Sequence, residues 1–118
     1  MRRKISISFD GKTYYVTPNF AVVERIEQRF DFMSFLRSIQ TYKAKTKDIA
    51  WVLYSAITES GYDEKYSDIG ECVLSDLEGA SGAAAEIVVE ALGAGPEKRS
   101  KKKSAETSST QESESTTE

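Results

Sequence analysis

The N-terminal part of the chain alternates hydrophobic and polar side chains, which is the pattern of half-buried β-strands. Asp10-Gly11 interrupts the alternation, and this pair favours a two-residue type I′ turn between antiparallel strands. The sequence therefore predicts a β-hairpin over 4–16. Its register pairs Phe9 with Lys12, Ile7 with Tyr14 and Ile5 with Val16, which places Ile5, Ile7, Phe9, Tyr14 and Val16 on one face and Ser6, Ser8 and Thr13 on the other.

Beyond the hairpin the hydrophobic period changes from two residues to three or four, which predicts helices. Apolar stripes and helix breakers indicate helices over about 18–30, 32–42, 47–60, 68–78 and 82–92. The predicted helix N-caps are Thr17 (with Pro18 in the first turn), Asp31, Thr46 and Ser67. Gly61 is predicted to end the third helix and Gly93 the last one. Gly79-Ala80-Ser81-Gly82 is predicted to separate the last two helices. The fold class is thus α+β and mostly α: an N-terminal β-hairpin followed by a bundle of four to five short helices.

The apolar stripes also predict which side chains face the core. Tyr42 is expected to share the inner face of the second helix, and Leu74 and Leu77 that of the fourth. In the last helix, Leu92 is expected inside and both Glu86 and Glu90 outside.

Composition changes after Gly95. Five basic residues at 98, 99 and 101–103 precede a run of Ser, Thr and Glu that has no apolar surface to bury. We therefore expect one globular domain over 1–94 and a disordered C-terminal tail over 95–118. A domain of this size has a modest core, so a second copy or a bound partner would add to its stability.

Charge and composition indicate which partners and which cellular location to expect. The net charge of −3 does not indicate a nucleic-acid partner, and no apolar run approaches the ~20 residues that cross a membrane. Polar residues interrupt the segment where a signal peptide would be apolar, so a cytoplasmic location is expected.

Candidate chemistry is sparse. The chain has no histidine, which is the commonest general base and metal ligand, and it shows no nucleophile elbow, phosphate-binding glycine loop or calcium loop. The single Cys72 is interpreted as a small hydrophobic residue. We therefore expect a protein that is not an enzyme and that binds no metal.

Three features are candidate binding surfaces. Trp51, Tyr54 and Thr58 form a row opposite the apolar stripe of the third helix, and such a row is either a partner anchor or, if that helix is buried all round, part of the core. The hairpin, with Tyr14 and Tyr15, either offers a free strand edge to a partner or simply packs on the helices. The lysine run at 101–103 is either a phosphate contact or a solvated tail.

The order of elements resembles the tail assembly chaperones of long-tailed phages, particularly the type found in gene transfer agents. The resemblance covers about 4–94. It is carried by Phe9-Asp10-Gly11-Lys12-Thr13-Tyr14, by Thr17-Pro18-Asn19-Phe20 at a helix start, by Asp48-Ile49-Ala50 before Leu53-Tyr54-Ser55-Ala56-Ile57, and by the segment from Ala83-Ala84-Ala85 to Ala91-Leu92-Gly93.

This resemblance implies a non-catalytic protein without a cofactor. It would bind and shield the tape-measure protein in the cytoplasm of the bacterial host and be absent from the mature virion. The tail-tube protein and a second copy of the chain are further candidate partners. In some relatives a ribosomal frameshift adds a client-binding domain, and Lys101-Lys102-Lys103 is compatible with a slippery codon run.

Two other functions remain open from sequence. One is a structural virion component of the connector or tail tube. The other, least favoured because the body is acidic, is a small nucleic-acid-binding regulator that uses the lysine-rich tail.

Overall fold

The computed structural model describes residues 3–93, which form an antiparallel hairpin followed by five helices. The predicted fold class is confirmed. The predicted tail over 95–118 lies outside the described residues. The elements are β1 (Ile5–Phe9), β2 (Lys12–Val16), α1 (Phe20–Ile26), α2 (Phe32–Gln40), α3 (Thr46–Glu59), α4 (Tyr66–Ser75) and α5 (Leu77–Ala91).

The hairpin forms with the predicted register, in which Ile7 pairs with Tyr14 at the centre. Asp10 and Gly11 have φ angles of 51° and 73°, and a type I′ turn requires positive values at both positions. The apolar face of the hairpin packs on the helices, with β1 against α5 and β2 against α3.

Helix α3 is the centre of the core. It packs against α1, α4, α5 and β2. Val52, Leu53, Ala56 and Ile57 are completely buried along it, and the buried side chains of the hairpin and of the other four helices join them in one cluster. The hairpin and the helices are therefore held together by a common core.

The first helix begins later than predicted, because Thr17 is not its cap. The Asn19 side chain accepts the Val22 N–H at 3.2 Å, so α1 begins at Phe20 and Pro18 precedes it. Thr17 instead extends the edge of the hairpin, where its N–H donates to Ser60 Oγ at 3.2 Å. The helix ends at Ile26, and turns occupy 27–29 of the predicted 18–30 range.

Some of the other predicted helix boundaries agree with the structure, and others are wrong. Asp31 caps α2 as predicted and accepts the Ser34 N–H at 2.8 Å. Gly61, with φ of 100°, follows the end of α3 as predicted. Thr46 and Ser67 are wrong as N-caps. Lys45 and Lys65 occupy these positions without a side-chain hydrogen bond, and both predicted cap residues lie inside their helices.

The predicted break at 79–82 is wrong, because α5 begins at Leu77 and runs through it. Asp76 accounts for the early start: its Oδ1 accepts the Gly79 N–H at 3.1 Å, while Oδ2 accepts the Asp10 N–H at 2.8 Å. A Cβ on Gly79 would collide with the Asp76 carboxylate. Gly79 is therefore part of the cap rather than a helix breaker.

Several predicted side-chain orientations are also wrong. Tyr42, Leu74, Leu77 and Leu92 are exposed by 97%, 64%, 47% and 45% instead of facing the core. Tyr42 follows the end of α2 with φ of 59°, and Leu77 opens a new helix, so neither continues the stripe to which it was assigned. Glu90 is buried rather than outward, and Arg3 donates to it at 3.1 Å.

Candidate functional site

Trp51 is a core side chain in this structure. It is 8% exposed, and its Nε1–H donates to the Arg25 carbonyl at 3.0 Å. The Arg29 guanidinium lies 4.0 Å from the centre of the indole, a cation–π contact. Trp51 therefore fastens the end of α1 and the following turn to α3.

Tyr54 and Tyr66 complete this aromatic cluster. Their ring centres lie 5.5 Å and 5.7 Å from that of Trp51, and 5.6 Å from each other. The Tyr66 hydroxyl donates to the Lys47 carbonyl at 3.2 Å, which ties the start of α4 to the start of α3. These contacts support the core interpretation of the row.

Thr58 is the third member of the row and lies one turn beyond Tyr54. Its Oγ1 is buried, and within the described part of the chain no group forms a hydrogen bond to it. The structure thus keeps the three row residues on one side of α3, but it turns the indole inward and leaves Tyr54 and Thr58 half-buried.

The two hairpin tyrosines point in opposite directions. Tyr14 is buried between Phe9 and Tyr62, and its hydroxyl donates to Glu64 at 3.3 Å. Burial, together with the nearby Glu64 carboxylate, raises the pKa of Tyr14 to about 12. Tyr15 is 56% exposed and remains accessible to a partner.

An apolar groove lies where the end of α2, the start of α3 and the first half of α5 meet. It has a volume of about 770 Å³, within the usual range of ligand-binding clefts. We call it the α2–α5 groove. Its apolar lining consists of Ile39, Tyr42, Ala44, Ile49, Leu77 and Ala85.

The rim of the α2–α5 groove is the part that sequence analysis missed. The apolar stripes predict both Tyr42 and Leu77 in the core, yet both are exposed at the opening. Glu78 also lines it and adds a carboxylate. A signal was present, because Tyr42 opens a basic loop in which the helical pattern has already ended.

Residues 3–93 contain one cysteine and no cluster of metal ligands. Cys72 is buried, and that burial raises the pKa of its thiol. Within 3–93 no group of three or more His, Cys, Asp or Glu side chains is placed to hold a metal ion. In the same part of the chain, none of the helices is both long and apolar enough to cross a membrane.

Comparison of the chain with protein-family models, with curated proteins and with solved structures finds no match in any of the three.

Proposed function

We propose that this protein is a non-catalytic assembly chaperone that binds and shields the tape-measure protein during phage tail morphogenesis. The α2–α5 groove is the observation that supports this proposal. It combines an apolar lining with two exposed apolar rim residues, and such exposed apolar surface is typical of a protein-binding site.

The apolar lining of the groove suits the apolar stripe of a helix. Helix-in-groove recognition places apolar anchors at three- and four-residue spacing into a cleft formed by neighbouring helices. The tape-measure protein expected from the resemblance is long and helical and carries many such stripes. A weak site used repeatedly along one client gains affinity through avidity, and coverage of the stripes opposes premature aggregation.

The proposal extends to location and release. The chaperone would act in the cytoplasm of the bacterial host, and tail-tube subunits would displace it as they polymerise around the tape-measure protein. It would then be absent from the mature virion. Recovery of the chain in purified mature particles would favour the structural virion component instead.

Co-expression with a fragment of the tape-measure protein encoded by a neighbouring gene tests this function. We expect the fragment to stay soluble and to co-purify with the full chain. Tyr42→Asn combined with Leu77→Ser removes the rim, while Asn tolerates the positive φ at residue 42. Loss of two apolar anchors should weaken binding by about tenfold or more.

Phe20→Ser is the matched control, because Phe20 is 73% exposed and is not part of the groove lining. It should leave client binding unchanged. The function is refuted if the wild-type chain neither binds the fragment nor keeps it soluble. Equal losses in the rim variant and in the control would refute the assignment to this groove.

A further inference from the structure

The two edges of the hairpin are not equivalent. On the β2 side, the N–H of Tyr15 donates to Tyr62 Oη at 3.0 Å, and the N–H of Thr17, just after the strand, donates to Ser60 Oγ at 3.2 Å. The loop after α3 therefore covers this edge. In an antiparallel pair, the main-chain N–H and C=O groups of alternate residues point away from the partner strand. The bonds of Tyr15 and Thr17 therefore also show which main-chain groups of β1 point away from β2.

On β1 the outward main-chain groups belong to Ser6 and Ser8, with Asp10 at the turn. The Asp10 N–H is taken by Asp76 Oδ2. No main-chain hydrogen bond from Ser6 or Ser8 to another described residue lies on the outer side of β1. An unpaired strand edge of this kind is a template for another strand.

A surface of α5, which we call the floor, lies beside this edge. Gly79, Gly82, Ala83 and Glu86 of α5 line a space of about 340 Å³ together with Ser6 and Ser8. A Cβ on Gly82 would meet nothing within 4 Å, so there is open room above this residue. The space continues towards Lys4 and Val89 as a further volume of about 550 Å³.

We propose that the open edge of β1 accepts an extended segment of a partner polypeptide as a third strand. The segment would direct small side chains towards α5 and a basic side chain towards Glu86. Glu86 is exposed on this floor and forms no ion pair with a described residue. This surface shares Gly82 with the lining of the α2–α5 groove but does not include the rim residues Tyr42 and Leu77, and the inference does not depend on the identity of the client.

The position of α5 argues against a second copy of the chain as the occupant. In a two-fold pairing of β1 with its counterpart, the α5 of the second copy would follow its own β1 onto the same floor. A single extended segment brings no helix and meets only small side chains. Main-chain pairing would provide affinity, and the side chains facing α5 would provide specificity.

The test is an NMR titration of the isotope-labelled full chain with a capped probe peptide, Thr-Ala-Thr-Lys-Thr-Ala-Thr. We expect the Ser6 and Ser8 amide resonances to shift and their hydrogen exchange to slow. Replacing the central Lys of the probe by Glu should weaken binding by about threefold or more. No change at these two amides at millimolar peptide would overturn the proposal.

Two substitutions at one position separate main-chain pairing from side-chain contact. Ser8→Pro removes the outward N–H, whereas Ser8→Ala retains it, and both lose the hydroxyl that contacts Thr13. The Pro variant should bind the probe about fivefold to tenfold more weakly, while the Ala variant binds like wild type. Equal binding by both variants would overturn the proposal.

Gly82→Leu provides a second variant in case Ser8→Pro fails to fold. It fills the floor without altering the strand, and it should abolish the shifts at Ser6 and Ser8. Persistence of these shifts would contradict the assigned floor. Shifts that depend on protein concentration without the probe, with a dimer in sedimentation, would identify a second copy as the occupant and refute the proposal.

Discussion

Replacement of Trp51 tests whether the aromatic row belongs to the core. Trp51→Ala removes a side chain that is 8% exposed, and truncation of a buried Trp costs about 3–5 kcal/mol. A domain of this size has a free energy of unfolding of roughly 5–10 kcal/mol. The variant should therefore be only marginally folded, with a thermal midpoint far below that of the wild type.

A milder substitution separates the contacts of the indole. Trp51→Phe keeps a ring but removes the Nε1–H that donates to the Arg25 carbonyl, a bond with a net value of about 0.5–1.5 kcal/mol. It also weakens the cation–π contact with Arg29, which is worth about 0.5–1 kcal/mol at a surface site. We expect a total loss of about 1–2 kcal/mol from these two contacts.

Urea denaturation followed by far-ultraviolet circular dichroism measures both effects without relying on the tryptophan that is being replaced. Phe20→Ala is the control: this aromatic side chain is 73% exposed, so its loss should change stability by at most about 0.5 kcal/mol. A loss below about 1 kcal/mol for Trp51→Ala would refute the core assignment and restore the partner-anchor interpretation.

Three further measurements probe the caps and the hairpin. The Asp10 and Gly79 N–H groups lower the pKa of the Asp76 carboxyl, so stability should fall as pH drops from about 5 to 3, and Asp76→Asn should flatten that fall in acid denaturation. The pKa of Tyr14 rises from 10.0 to about 12 on folding, so the unfolded chain ionises first and stability should decrease between these pH values, a decrease that Tyr14→Phe removes from thermal midpoints. Gly82→Ala should stabilise α5 by about 0.5–1 kcal/mol in urea denaturation, whereas Gly79→Ala should destabilise it; equal effects would contradict the cap geometry.

Sequence patterns correctly predicted those elements whose structure depends on residues close together in the chain. The hairpin register follows from two-residue periodicity and an Asp-Gly pair, and both observations concern adjacent residues. The start of α5 does not follow from adjacent residues alone. It depends on the Asp76 carboxylate, which also accepts the N–H of Asp10, 66 positions away in the sequence. Periodicity alone interprets the two glycines at 79 and 82 as a break, since it contains no information about that distant donor.

The candidate sites likewise depend on contacts between residues that are distant in the sequence. The sequence identified the Trp51 row but could not decide between surface and core, because the answer depends on Arg25 at the end of α1 and on Arg29 in the turn that follows it. It placed Tyr42 and Leu77 inside, because an apolar side chain at helical spacing is normally buried. The groove that they border exists only where three helices meet.

The exposure of Tyr42 follows from the way α2 ends. Residue 42 adopts φ of 59°, the Lys43 N–H donates to the Ser38 carbonyl at 2.8 Å, and the ring is 97% exposed. This is the geometry of a helix C-terminus closed by a left-handed residue, a position that Gly usually occupies. A non-glycine residue there costs roughly 1 kcal/mol. A client bound in the α2–α5 groove would bury the ring at the rim, so Tyr42 would add apolar contact area to the binding proposed for this groove.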